Sequence, residues 1–218
     1  MSKRPPAARP IAFLSDVHGN LAALEAVLAE VAQRGVEEIV VCGDLLLGGD
    51  QPLEVFRRLQ QVHAQCVRGL SDSALASLPD DRLTPRDATQ AEQAERFRDT
   101  RRALGELALR FLQKLPETLR IPLVDGREIV AVHGSPADPT TEMSHDLSDE
   151  EMLALVGDDP ADIVVCGASH VPFQRELPEV RVLGLGSVGA APEGRVAHFA
   201  IVSPRMDGTL IEQAWVEY

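Results

Sequence analysis

Ile11-Ala12-Phe13-Leu14-Ser15-Asp16-Val17-His18-Gly19-Asn20 sets four apolar residues ahead of two side chains able to hold a metal ion. The apolar run reads as a strand, and Leu21, Leu24, Val27, Leu28 and Val31 follow at helical spacing. Asn20 is a natural N-cap for that helix, and Gly35 can end it in a left-handed conformation. The unit is strand, loop, helix, with Asp16 and His18 in the loop. Two apart in extended chain, they are expected to project to one side, as two ligands of one ion would.

Working outward, Glu38–Cys42 supplies a second apolar strand, Pro52–Leu59 a helix with Leu53, Phe56 and Leu59 on one side, and Val62–Val67 a third strand. Such alternation argues for a parallel sheet covered by helices. From Asp80 to Glu106 the chain turns into a dense mixture of Arg, Asp, Glu and Gln, read as a polar helical insertion. Leu107–Leu115 returns to helical periodicity and Pro116 ends it. Leu119–Val124 and Glu128–His133 flank Asp125-Gly126, a strong hairpin signal. A short helix at Asp149–Val156 and a buried strand at Asp162–Cys166 follow. The runs at Val180–Leu185, Val196–Val202 and Thr209–Val216 are expected to be antiparallel and to form a second sheet with the rest of this half. The expected fold class is α/β: two packed β-sheets flanked by helices. One domain is expected over residues 10–218, with the insertion at about 80–106 and a disordered tail over 1–9.

With 218 residues, 44% of them hydrophobic, the chain can bury one large core. Its formal net charge of -13 argues against general nucleic-acid binding and against an anionic membrane surface. A small phosphorylated substrate stays compatible, because a local metal ion outweighs a distant negative field. Cys42, Cys66 and Cys166 each sit in an apolar run, without the paired spacing of a zinc or redox motif. They read as buried reduced thiols, which points to the cytoplasm. No apolar stretch reaches the length of a membrane span, and no signal-peptide pattern follows the first residues. Composition leaves the oligomeric state open.

The chemistry lies at strand ends. Ser15-Asp16-Val17-His18-Gly19-Asn20 closes the first strand, Cys42-Gly43-Asp44 the second, and Arg68-Gly69-Leu70-Ser71-Asp72 the third. Val132-His133-Gly134 and Cys166-Gly167-Ala168-Ser169-His170 close two later ones. A lone Asp beside Gly is usually a turn former, and a lone strand-end His usually just hydrogen-bonds. Five such ends are another matter, because ligands gather at the carboxyl ends of strands in α/β sheets. Aspartate mixed with histidine suits a divalent transition ion (manganese, iron, zinc or nickel) better than magnesium or calcium. Asp72 reads as the N-cap of a helix over Ser73–Leu78, His145 as a solvated loop residue, and His63 and His198 as packing residues within strands.

These motifs resemble those of the calcineurin-like metallophosphoesterases, D-x-H, G-D, G-N-H/C-D, a strand-end His and G-H-x-H, from about Pro10 to Tyr218. Gly186-Ser187-Val188-Gly189 is similar to the small prokaryotic phosphoesterase branch. The resemblance implies that Asp16, His18, Asp44 and His170 hold a first metal and that Asp44 bridges toward a second. It implies His133 as a ligand of the second ion, with Asp44 and His133 central to catalysis. The family's remaining second-site ligands fall on Leu70 and Ala168, which carry no donor atom, and its proton donor falls on Ser71. One ion is therefore expected rather than two. The implied activity is hydrolysis of a small phosphomonoester or phosphodiester, weak for want of the second site, with Arg68 a candidate for substrate phosphate. The alternative is a catalytically degenerate protein of the same fold that binds metal, phosphate or nucleotide.

Overall fold

The structure, a computed structural model, describes residues 5–159 and 161–218. The opening unit folds as β1 (Ile11–Leu14) and α1 (Leu21–Gln33), with the Asn20 side chain accepting the Ala23 N–H as N-cap. β2 (Glu38–Cys42), α2 (Pro52–Gln61) and β3 (Gln65–Val67) follow, and β1, β2 and β3 are parallel. His63, expected inside a strand, instead sits exposed at the turn between α2 and β3, in the left-handed region at φ 53°.

After β3 comes α3 (Leu70–Ser77), then a 3₁₀ turn at Asp80–Arg82. The polar segment forms α4 (Ala88–Lys114), interrupted at Gly105, whose φ is 66°. β4 (Thr118–Pro122) and β5 (Glu128–Val132) make the expected hairpin. α5 (Asp149–Val156) and β6 (Ile163–Cys166) lead to β7 (Pro172–Glu176), β8 (Arg181–Leu185), β9 (Val196–Arg205) and β10 (Gly208–Glu217).

The second half does not form one antiparallel sheet. β9 and β10 cross back to complete the first sheet, in the order β10-β9-β1-β2-β3. The second sheet is β4-β5-β6-β8-β7, with β5, β6 and β8 parallel and an antiparallel strand at each edge. β9 is long and buried along most of its length, so it can pair centrally beside β1.

Period-two alternation then builds three layers of core. Ile11, Phe13, Val40 and Cys42 face Ile129, Ala131, Ile163 and Val165 between the sheets. Ala12, Leu14, Ile39 and Val41 turn outward beneath the helices of the first sheet. Val130, Val132, Val164 and Cys166 do the same with Met152 and Val156 of α5 on the second. All three cysteines are free and buried, and burial pushes the Cys166 thiol up to about 12. Of the tail expected over 1–9, residues 1–4 lie outside the described residues. Ala7 is buried and bridges to Leu123, its N–H bonded to the Pro122 carbonyl. No helix among the described residues is long and apolar enough to cross a membrane.

Candidate metal centre

Parallel strands in both sheets bring their carboxyl ends to one place. Asp16, His18 and Asp44 arrive from β1 and β2, and His133 and His170 from β5 and β6. Donor atoms of Asp16, His18 and His170 lie within 4.8 Å of one another, as do those of Asp16, Asp44 and His133. His170 Nε2 is 3.2 Å from Asp16 Oδ1 and 3.2 Å from His18 Nε2, and His18 Nε2 is 3.7 Å from Asp16 Oδ1. Asp44 Oδ1 is 3.4 Å from His133 Nε2, and its Oδ2 is 4.0 Å from His18 Nε2. Asp16 thus belongs to both groups, a sharing the sequence reading gave to Asp44 alone.

The local backbone departs from the extended chain expected for Asp16-Val17-His18. Asp16 and His18 have φ of 55° and 51°, Asp44 53° and His170 58°. Left-handed conformations cost a non-glycine residue about 1–2 kcal/mol, and aspartate and histidine are among those that tolerate them. Side-chain convergence is thus achieved by sharp turns at strand ends rather than by alternation along a strand. Glycine is required where chains touch: a Cβ on Gly69 would lie 2.2 Å from Asp44 Oδ1.

Each imidazole is oriented by a backbone carbonyl. His18 Nδ1 is 2.8 Å from the Leu47 oxygen, His133 Nδ1 2.9 Å from that of Cys42, and His170 Nδ1 3.1 Å from that of Ala190. A carbonyl only accepts, so each Nδ1 carries a proton and each ring turns its Nε2 toward the cluster. The Nε2 atoms of His18 and His170 face each other 3.2 Å apart, a spacing that a cation between them favours. Asp16 Oδ1 is buried and has no hydrogen-bond partner, while its Oδ2 accepts the Ala168 N–H. The Asp16 carboxylate, through its short polar contact and then its charge, holds His170 above the ordinary histidine range. All three observations call for positive charge at one point. Separations of 3.2–3.7 Å also match ligand edges around an ion with bonds of about 2.1 Å. The residues present therefore fit a divalent transition ion.

Gly186–Gly189 lies under this arrangement. Ser187 Oγ donates to the Asp16 carbonyl, and its oxygen accepts the N–H of Ala190, whose carbonyl orients His170. Sequence reading flagged the segment but gave it no task.

Asp72 is not the first cap of its helix. Gly69 is the N-cap of α3, and the fully buried Asp72 carboxylate accepts the N–H groups of Gly69 and Leu45, tying the third strand end to the loop after Asp44. Burial, then the charge of Asp44, pushes Asp72 from 3.8 up to about 7. A raised carboxyl favours the folded state most below its unfolded value, and that contribution is lost as pH rises. In chelator-treated protein, the stability of wild type relative to Asp72→Asn should therefore fall between about pH 4 and pH 7. The slope should reach roughly 1 kcal/mol per pH unit in paired denaturant titrations. A flat or rising difference would contradict it.

Of the two positions lacking ligand atoms, Leu70 is 45% exposed at the start of α3, whereas Ala168 holds φ 64°. Alanine there keeps a strained backbone for the sake of its N–H bond to Asp16. Ala168→Gly should raise the thermal stability of the protein by up to about 1 kcal/mol, strain relief outweighing the added freedom of the unfolded chain. Ser71 Oγ is buried without a partner, and its N–H donates to Asp44 Oδ1. The Arg68 guanidinium, a candidate for substrate phosphate, bonds Glu117 at 2.7 Å and the Gln113 carbonyl. His145 is exposed in its loop, and His198 is buried in β9.

A sequence profile of the calcineurin-like phosphoesterase superfamily domain matches residues 10–207. An uncharacterised protein of Methanocaldococcus jannaschii is 28% identical over 166 residues, which cover 75% of this chain and 63% of that protein. The matched part thus spans less than two thirds of that relative's length. Among solved structures, a hypothetical protein from Pyrococcus horikoshii superposes with a TM-score of 0.81 at 24% identity, covering 96% of this chain and 88% of that one. A metallophosphoesterase from Sphaerobacter thermophilus gives 0.72 at 23%, covering 95% and 89%. These likenesses show the fold.

Proposed function

We propose, on the premise that this chain belongs to the calcineurin-like phosphoesterase superfamily, that it hydrolyses a small phosphomonoester or phosphodiester around one resident divalent transition ion. The observation that carries this is the convergence of three carbonyl-oriented imidazoles on Asp16 and Asp44. Asp16, His18, Asp44 and His170 would hold the ion, and His133 would stand beside Asp44 facing the substrate. When bound, the ion supplies Lewis-acid polarisation of a phosphoryl oxygen and makes water more acidic.

The protein's own groups do the positioning. The Leu47, Cys42 and Ala190 carbonyls keep the imidazoles aimed, and the Ser71 N–H holds Asp44. Ser71 offers no proton of suitable acidity to a departing alkoxide. Aryl esters, whose leaving groups need no proton, are therefore favoured over alkyl esters. Elemental analysis after loading with manganese, nickel or zinc, followed by turnover of aryl phosphate mono- and diesters, tests the reading. One ion per chain with turnover is expected, and no bound ion under any loading would overturn it. The bare Ala168 and apolar Leu70 favour a second reading, binding of metal and phosphate without turnover. An ion bound with no hydrolysis would select it.

A further inference from the structure

The segment after α3 walls a cavity of ≈ 640 Å³ against the loop that orients His18. Its apolar surface comes from Leu47, Leu83 and Phe97, and its charge from Arg82, Arg86 and Arg96. Among the described residues no acidic side chain lines it, in a chain with 34 acidic residues against 21 basic ones. The acids are sorted to the other side of Arg96, where Asp50, Glu92, Glu95 and Asp99 line a separate cavity. Arg96 donates to the Gly48 carbonyl at 2.9 Å and only approaches Glu92, at 3.9 Å. Arg82 and Arg86 are exposed and form no ion pair among the described residues.

This cavity and the metal centre share a wall. Leu47 lines the cavity while its carbonyl accepts from His18 Nδ1, and Gly49 N–H donates to the His18 carbonyl. A ligand in the cavity is thus one loop thickness from the cluster. The volume suits a ligand of nucleotide size. Guanidinium forks match phosphate oxygens, an apolar wall matches the face of a ring, and the Gln93 amide matches a ring's polar edge. A sugar phosphate would leave the apolar wall unused.

We propose that the cavity is a nucleotide site, taking a nucleoside diphosphate moiety with its base against Leu83 and Phe97 and its phosphates at Arg82 and Arg86. That this moiety is part of the substrate rests on the phosphoesterase reading; that it binds does not. The test is calorimetric titration of the full, chelator-treated chain with ADP. Wild type should bind ADP at least 10-fold more tightly than adenosine or inorganic phosphate. The double change Arg82→Ala with Arg86→Ala should weaken ADP at least 10-fold at an unchanged melting temperature. No ADP binding by wild type, or binding indifferent to the double change, overturns the site. Turnover of aryl diesters without ADP binding would remove the nucleotide site and leave the reaction, whereas ADP binding without any turnover would do the reverse.

Discussion

Asp44→Asn should abolish measurable hydrolysis, a fall of roughly 1,000-fold or more, while the protein stays folded. Asp44 stands between the two groups of donors, its Oδ1 3.4 Å from His133 Nε2 and its Oδ2 4.0 Å from His18 Nε2. Asparagine tolerates the left-handed backbone at φ 53° and can keep an acceptor for the Ser71 N–H. What it loses is the negative charge. Partners one step removed from a metal are worth about 10- to 100-fold in affinity, so losing a charged ligand should cost at least that. Steady-state rates on an aryl phosphodiester, metal content and a thermal melt would be measured on the same preparation. Undiminished turnover in the folded variant would remove Asp44 from the mechanism.

The second large effect is a gain. Leu70→Asn combined with Ala168→His should add about one bound ion per chain and raise the rate on an aryl phosphodiester at least about 10-fold. Leu70 is half exposed, so its replacement leaves no core void. Ala168 already has the left-handed φ that His18 and His170 adopt, so a histidine there needs no new backbone. Each single change should do less, because donors to one ion act cooperatively. Ser71 still stands where a proton donor is wanted, which limits the gain. If the double variant folds and elemental analysis finds no further ion, the cavity has been remodelled beyond two side chains. Binding without turnover is then the better reading.

The first sheet's parallel strands and α1 were legible because apolar period and cap residues agree along Ile11–Gln33 and Glu38–Cys42. The five strand-end signals were legible because Asp and His beside Gly are uncommon company for buried strands. The turn that delivers them was not: a left-handed φ at Asp16 leaves no mark in residue type beyond a tolerance for it. Nor could sequence show that the carbonyls of Leu47, Cys42 and Ala190 set the tautomers, since backbone oxygens look alike in every residue. The placement of β9 and β10 was missed because edge and centre are decided by pairing across the chain, not by local pattern. The ion pair of Arg68 was hidden for a similar reason, its partner Glu117 lying 49 residues away.

The centre draws its side chains from both sheets, and His18 and His170 are 152 residues apart in the chain. Loops that long close late, because their entropic cost must be met before the contact gives anything back. Each group of closely spaced donors draws on both sheets: His170 completes one and His133 the other, beside Asp16, His18 and Asp44 from the first sheet. During refolding, the ability to capture an ion therefore arises only when the two sheets have docked. Uptake of metal is then a marker of the last assembly step, and a chain stalled with its sheets apart is one that cannot be loaded.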